Sequence, residues 1–158
     1  MQTFPVTYIW RHRKENKKKC SLRGLESRQD MQFFSYPNER LPDLSSYFML
    51  TLDPKAPIIS REDADLGLLL IDGTWNYAGK MVAALEEFPA SRKRALPANF
   101  ETAYPRRQEG CCDPRRGLAS VEALFIAYLL MGRDVSGLLD GYYWKQEFLT
   151  RNKLNKPD

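Results

Sequence analysis

Asp72, Thr74 and Trp75 put a proton acceptor, a hydroxyl and an aromatic face within one short stretch, directly behind the apolar run Leu68-Leu69-Leu70-Ile71. A carboxylate at such a point can accept a proton as a general base. It can equally pin a turn by accepting backbone N–H groups. Trp75 and Ala78 fall one helical turn apart and share a face if the following segment is helical, so together they can line a pocket or pack a helix. Asp72-Gly73-Thr74 also reads as an ordinary turn with a helix cap, Gly73 permitting the turn and Thr74 capping. These residues alone leave a site and a capped helix evenly matched.

The elements needed to position them are those of an α/β fold. Leu68 to Ile71 reads as a fully buried parallel strand, and in open α/β sheets ligands bind at the carboxyl ends of strands. Further strands are expected at Val6–Arg11, Met31–Ser35, Tyr47–Leu52 and Lys93–Leu96, with the apolar run extending over Leu66–Ile71. Trp75, Ala78, Met81 or Val82, Leu85 and Phe88 recur at helical spacing from Thr74 until Pro89. Ser120 is expected to cap a helix over Val121–Met131, with Glu122 in its first turn and Gly132 at its end. A short helix from Asp134 and a last one over about Tyr143–Leu154, with Trp144, Phe148 and Leu149 inward, complete the pattern. Strands alternating with helices give an α/β fold. Between Pro97 and Leu118 lies a long irregular stretch rich in Pro, Gly and Arg, and loops of this length in compact domains are usually functional or disordered.

Composition sets the bounds. The chain has 158 residues, 43% hydrophobic and 28% charged, the balance of one soluble domain with a sizeable core. Basic residues and prolines interrupt the N-terminus, so no signal peptide is expected, and Val121–Met131 is too short to span a bilayer. Cys20, Cys111 and Cys112 form no disulfide framework, and with His12 the one histidine a zinc site is poorly supported. A cytoplasmic protein without a metal is expected. Any Cys–His pair or Ser–His–Asp triad would depend on His12, which sits in a basic run expected to be solvated. The net charge of +4 is unevenly spread: residues 1–30 carry eight Lys/Arg against three acids, residues 31–90 four against nine, and residues 91–117 seven against three. The two basic blocks are Arg11 to Lys19 and the cluster Arg92, Lys93, Arg94, Arg106, Arg107, Arg115 and Arg116. A charge run is usually a solvated face, but two blocks flanking an acidic middle favour contact with nucleic-acid phosphates.

Five short motifs in order resemble one family. Ile71-Asp72-Gly73-Thr74-Trp75 with Ala78 resembles the D-x-[ST]-W-x-x-A signature of the DTW-domain superfamily, which includes the small-subunit rRNA and the related tRNA aminocarboxypropyltransferases. Cys20-Ser21-Leu22-Arg23-Gly24-Leu25 is similar to its C-[ST]-G-R-K-L, with glycine and lysine displaced. Arg94-Ala95-Leu96-Pro97 is similar to its R-x-L-P. Leu118-Ala119-Ser120-Val121-Glu122-Ala123 is similar to its L-S-T-x-E-A, with Ala119 where a hydroxyl is usual. Trp144 to Asn152 is similar to the W-G-x-x-F-L-x-x-N that closes the rRNA branch. The match runs from about residue 6 to residue 154.

The resemblance implies a single α/β domain over 1–158, a SPOUT-like sheet with helices on both faces, with an N-terminal substrate and cofactor part (1–65) and a cofactor-binding part (66–154) tied in a C-terminal trefoil knot. It implies S-adenosylmethionine as cofactor, a monomer, and transfer of the 3-amino-3-carboxypropyl group to a uridine-type nitrogen in RNA, rRNA ahead of tRNA, with release of methylthioadenosine. By the same resemblance Trp75 and Ala78 line the pocket for the amino acid arm, and Asp72 either takes the base proton or holds the turn. Ser21 would bind the methionine carboxylate, the Ile71 carbonyl the ribose, and Leu96, Arg116 and Ser120 would surround the adenine. Lys17, Lys18, Lys19 and Arg23, with Arg92, Lys93, Arg94, Arg106 and Arg107, would border the pocket and meet RNA phosphates. Two other readings stay open: a SPOUT-type RNA methyltransferase, and a non-catalytic RNA-binding or ribosome-assembly factor.

Overall fold

The computed structural model describes residues 4–14, 21–51, 53, 55–72, 80–85, 88–104 and 118–154. Within them the chain forms β1 (Thr7–His12), β2 (Met31–Tyr36), β3 (Tyr47–Leu50), β4 (Gly67–Asp72) and β5 (Lys93–Arg94), then helices α1 (Ser120–Met131) and α2 (Lys145–Arg151). The strands make one sheet in the order β2-β1-β4-β3-β5, and every pairing is parallel. All carboxyl ends therefore lie along one edge.

Alternation along the strands divides the core in two. Ile9, Met31, Phe48, Leu68 and Leu70 face one layer together with Leu124, Ile126 and Met131 of α1. Trp10, Phe34, Met49 and Leu69 face the other, with Met81 and Phe88. Burial on both faces explains why β4 reads as an unbroken apolar run. Residues 80–83 are helical; the expected helix start at Thr74 lies outside the described residues.

α1 is nearly apolar all round and is buried accordingly. It runs antiparallel to the strands. Ser120 meets the carboxyl end of β4, while Arg133, just past the Gly132 cap at φ 77°, donates to the carbonyls of Ala64 and Leu66 before β4. Twelve residues of helix rise about 18 Å and six of strand about 20 Å, so the helix spans the sheet from edge to edge.

Three expectations need correction. Asp134 starts no helix: its Oδ1 accepts from the Ser136 N–H at 2.9 Å and Gly137 sits at φ 80°, so residues 136–141 form turns. The last helix stops at Arg151, because the Asn152 amide bonds the carbonyls of Phe148 and Glu101. His12 is buried rather than solvated. Its Nδ1 accepts from the Lys14 N–H at 3.1 Å, and its ring lies against Tyr36 on the sheet face opposite α1. Burial pushes the imidazole below its ordinary 6.5, and Arg13, Lys14 and Lys80 add to this.

Candidate active site

β1 connects to β2 on one side of the sheet, whereas β4 leads toward β5 on the other. The crevice between the carboxyl ends of β1 and β4 is thus the topological switch point, where open α/β sheets bind ligands. Arg11 and Asp72 are register partners across it. Both side chains point to the α1 face, because that is the parity of Ile9 and Leu70. Arg11 Nε donates to Asp72 Oδ2 at 3.1 Å, with both side chains buried. Ser120 Oγ donates to Asp72 Oδ1 at 2.8 Å. Asp72 therefore ties β4 to β1 and to the first residue of α1.

Ser120 was expected to cap α1; the cap position is Ala119, and Ser120 is the first helical residue. Capping comes from elsewhere. The Val121 N–H donates to Ser21 Oγ at 3.1 Å, one hundred residues away in sequence. The Ala119 N–H donates to Glu122 Oε1 at 2.7 Å. By accepting from Val121, the Ser21 hydroxyl keeps its proton as a donor for an incoming anion, beside a helix N-terminus that favours negative charge.

Leu22 is fully buried in the main core, and Gly24 takes φ 94°, a conformation that favours glycine. The Gly24 N–H donates to Glu26 Oε1 at 2.8 Å, and Arg11 Nη1 donates to Glu26 Oε2 at 3.2 Å. Burial pushes the Glu26 carboxyl up, but hydrogen bonds from the Glu26 and Gly24 N–H groups and from Arg11 outweigh it and hold the carboxyl below its ordinary 4.5. The Arg11 guanidinium also lies 4.7 Å from the Phe33 ring centroid.

The structure thus brings Ser21, Asp72 and Ser120 together, with Ile71 adjoining them. The β3–β4 pairing ends at Met49–Leu69, so β4 runs past β3 where the Ile71 carbonyl lies. Leu96 follows β5 along the same edge and packs against the same core as α1. Trp75, Ala78, Arg116, Lys17, Lys18, Lys19, Arg106 and Arg107 lie outside the described residues. Arg23 is exposed in the Ser21 loop. Arg92 lies at the opposite edge of the sheet, donating to the carbonyls of Leu44 and Ser45 ahead of β3 and of Tyr47 at its start. Arg94 pairs with Asp63 at 3.1 Å, leaving Lys93 half-buried between them.

Two residues escaped the sequence reading. Arg11 opens a basic run and looks solvated, yet alternation along β1 places it inward, and the strand period was the signal available. Glu122 stands in the first helical turn and in one of the five motifs, but the sequence gives it no role. It is fully buried and accepts from Thr102 Oγ1, the Ala103 N–H and Tyr142 Oη besides Ala119, so the motif glutamate fastens the start of α1 to two loops. Because His12 faces the other side of the sheet, it joins no triad with Ser120 and Asp72. Among the described residues no group of His, Cys, Asp and Glu is placed to hold a metal, and no helix is long and apolar enough to cross a membrane.

The fold is similar to that of a structure described as the SAM-dependent rRNA:acp-transferase Tsr3 from Vulcanisaeta distributa, with a TM-score of 0.70 and 21% sequence identity over 96% of this chain and 80% of that one. The likeness is one of fold. No family model matches the sequence, and no curated protein matches it.

Proposed function

We propose that this protein is an S-adenosylmethionine-dependent RNA 3-amino-3-carboxypropyltransferase, acting on a uridine-type nitrogen, in rRNA rather than tRNA, and releasing methylthioadenosine. The observation that carries the reading is the convergence of Ser21, Asp72 and Ser120, from three separate motifs, on one helix N-terminus at the switch point of the sheet. The fold shared with a protein described as an rRNA:acp-transferase supports it. The same reading carries the DTW-domain family, the knotted C-terminal half, and a cytoplasmic monomer.

The residues present fit the cofactor. Ser21 offers a hydroxyl proton and α1 a positive end to a carboxylate, and β4 extends past β3 to present the Ile71 carbonyl to ribose hydroxyls. Leu96, Ser120 and Arg116 would border the adenine, and Trp75 and Ala78 the amino acid arm. When bound, the cofactor supplies a sulfonium with three electrophilic carbons, and the pocket selects among them by orientation. Asp72 acts in this reading as a positioning residue: both carboxylate oxygens accept bonds from within the fold, and they hold the α1 N-terminus against β4. Arg23, Lys93, Lys17, Lys18, Lys19, Arg106 and Arg107 supply phosphate contacts, while Arg92 and Arg94 hold the loops that present them.

Calorimetry with S-adenosylmethionine tests the assignment. Binding that weakens in Ser21→Ala supports it. An absence of heat at millimolar cofactor would instead leave a non-catalytic RNA-binding protein. A methyltransferase would bind the cofactor equally well and is separated by its product.

A further inference from the structure

The corner between α1 and α2 carries an aromatic pair whose outer ring, Tyr143, is used by neither the core nor the candidate site. Tyr143 is 86% exposed, and no other aromatic side chain among the described residues is exposed. Its ring meets Trp144 edge-on, with centroids 4.7 Å apart and planes at 79°. Trp144 is half-buried against the main core and sits at the N-cap of α2, so the mount is rigid. The corner stands beside the site. Tyr142 Oη donates to Glu122 in the first turn of α1 at 2.9 Å, and Gly141 passes so close to the Arg23 carbonyl that a Cβ would stand 3.1 Å from it. Arg23 belongs to the same loop as Ser21.

From this placement we infer that Tyr143 and Trp144 form a stacking platform for an unpaired RNA base next to the target nucleotide, a role that rests on the RNA reading above. An open π face is what a splayed base seeks, and stacking tolerates any sequence. The charges around it suit a polyanion: Asp140 is paired with Lys145 and Glu147 with Arg151, while Arg23 is exposed. A protein partner fits less well. Among the described residues the other exposed large apolar ones, Ile58, Val82 and Leu129, lie on other elements, Leu129 at the far end of α1, so Tyr143 joins no contiguous apolar patch with them of the size that marks a protein interface.

Fluorescence anisotropy with the full chain tests this, using a mixed-sequence single-stranded RNA of about 12 nucleotides, within the usual span of a single-strand site, and a duplex of the same sequence. Tyr143→Ala is expected to weaken single-strand binding roughly tenfold, with Tyr143→Phe restoring it because the ring face is kept. Duplex binding, which rests on phosphates, stays at the wild-type value. Wild-type single-strand affinity in Tyr143→Ala overturns the platform and leaves the ring to a protein contact. Equal loss in Tyr143→Phe, or equal loss on the duplex, also overturns it. A wild-type chain that binds neither RNA removes the RNA reading itself, a result distinct from failure of the platform alone.

Discussion

Replacing Asp72 probes the tie between β1, β4 and α1 most sharply. The Arg11 and Asp72 side chains are 8% and 4% exposed, so the pair is screened little by solvent. Asp72→Leu removes the carboxylate that accepts from Arg11 Nε at 3.1 Å, and leaves the Ser120 hydroxyl without its acceptor. Breaking one side of such a buried pair costs about 3–5 kcal/mol. A domain of ordinary stability, about 5–15 kcal/mol, remains largely folded. The double variant Arg11→Met/Asp72→Leu removes both charges and fills the space with apolar atoms, which should recover most of the loss. Urea denaturation followed by tryptophan fluorescence on the four proteins gives the coupling energy, expected at about 2 kcal/mol or more. Single variants losing less than about 1 kcal/mol, the range of exposed pairs, or a double variant equal to their sum, would refute the reasoning. Stability recovered in the double variant is not expected to restore cofactor affinity, because Ser120 no longer holds α1 against β4.

Glu122→Gln turns an acceptor of four hydrogen bonds into a group whose amide faces donors; it should cost about 3 kcal/mol, or roughly 6–12 °C in the melting temperature of a chain this size, and a shift under about 2 °C, less than one kcal/mol, would mean the cluster is not closed. The single histidine allows a clean NMR titration of His12, with a midpoint expected below 6.5. Because the folded value lies below the unfolded one, the unfolded chain takes up the proton first, and this stabilisation, complete above the ordinary value, is lost as pH falls below it. A midpoint at or above 6.5 contradicts the burial of the ring. RNA affinity should fall linearly on a log–log plot against salt, and a flat line would remove the phosphate contacts from the account.

Much of the fold could be read from local pattern. A continuous apolar run located β4, since burial on both faces leaves a mark on every residue of it, and stretches bounded by Pro, Asn, Asp or charge clusters placed the other four strands to within two residues at each end. The segment from Val121, apolar apart from Glu122, marked α1, and Gly132 marked its end. What escaped depends on partners far away in sequence. Arg11 looks like the first residue of a solvated run until it is known that Asp72 stands opposite it. Ser120 looks like a cap, but Ser21 supplies that bond and frees Ser120 to reach Asp72. Asp134 looks like a helix start, yet its own Asx turn and Gly137 settle it as a turn. Of the site, the motifs pointed to Ser21, Asp72 and Ser120, whereas the network that joins them required the topology.

The central claim is the reaction itself. Incubating the protein with S-adenosylmethionine and small-subunit rRNA, then identifying the small-molecule product by mass spectrometry, tests it directly. The account predicts methylthioadenosine, matched by an aminocarboxypropyl-modified uridine-type nucleoside in the digested RNA. S-adenosylhomocysteine with a methylated nucleoside would contradict it and assign the same pocket to methyl transfer.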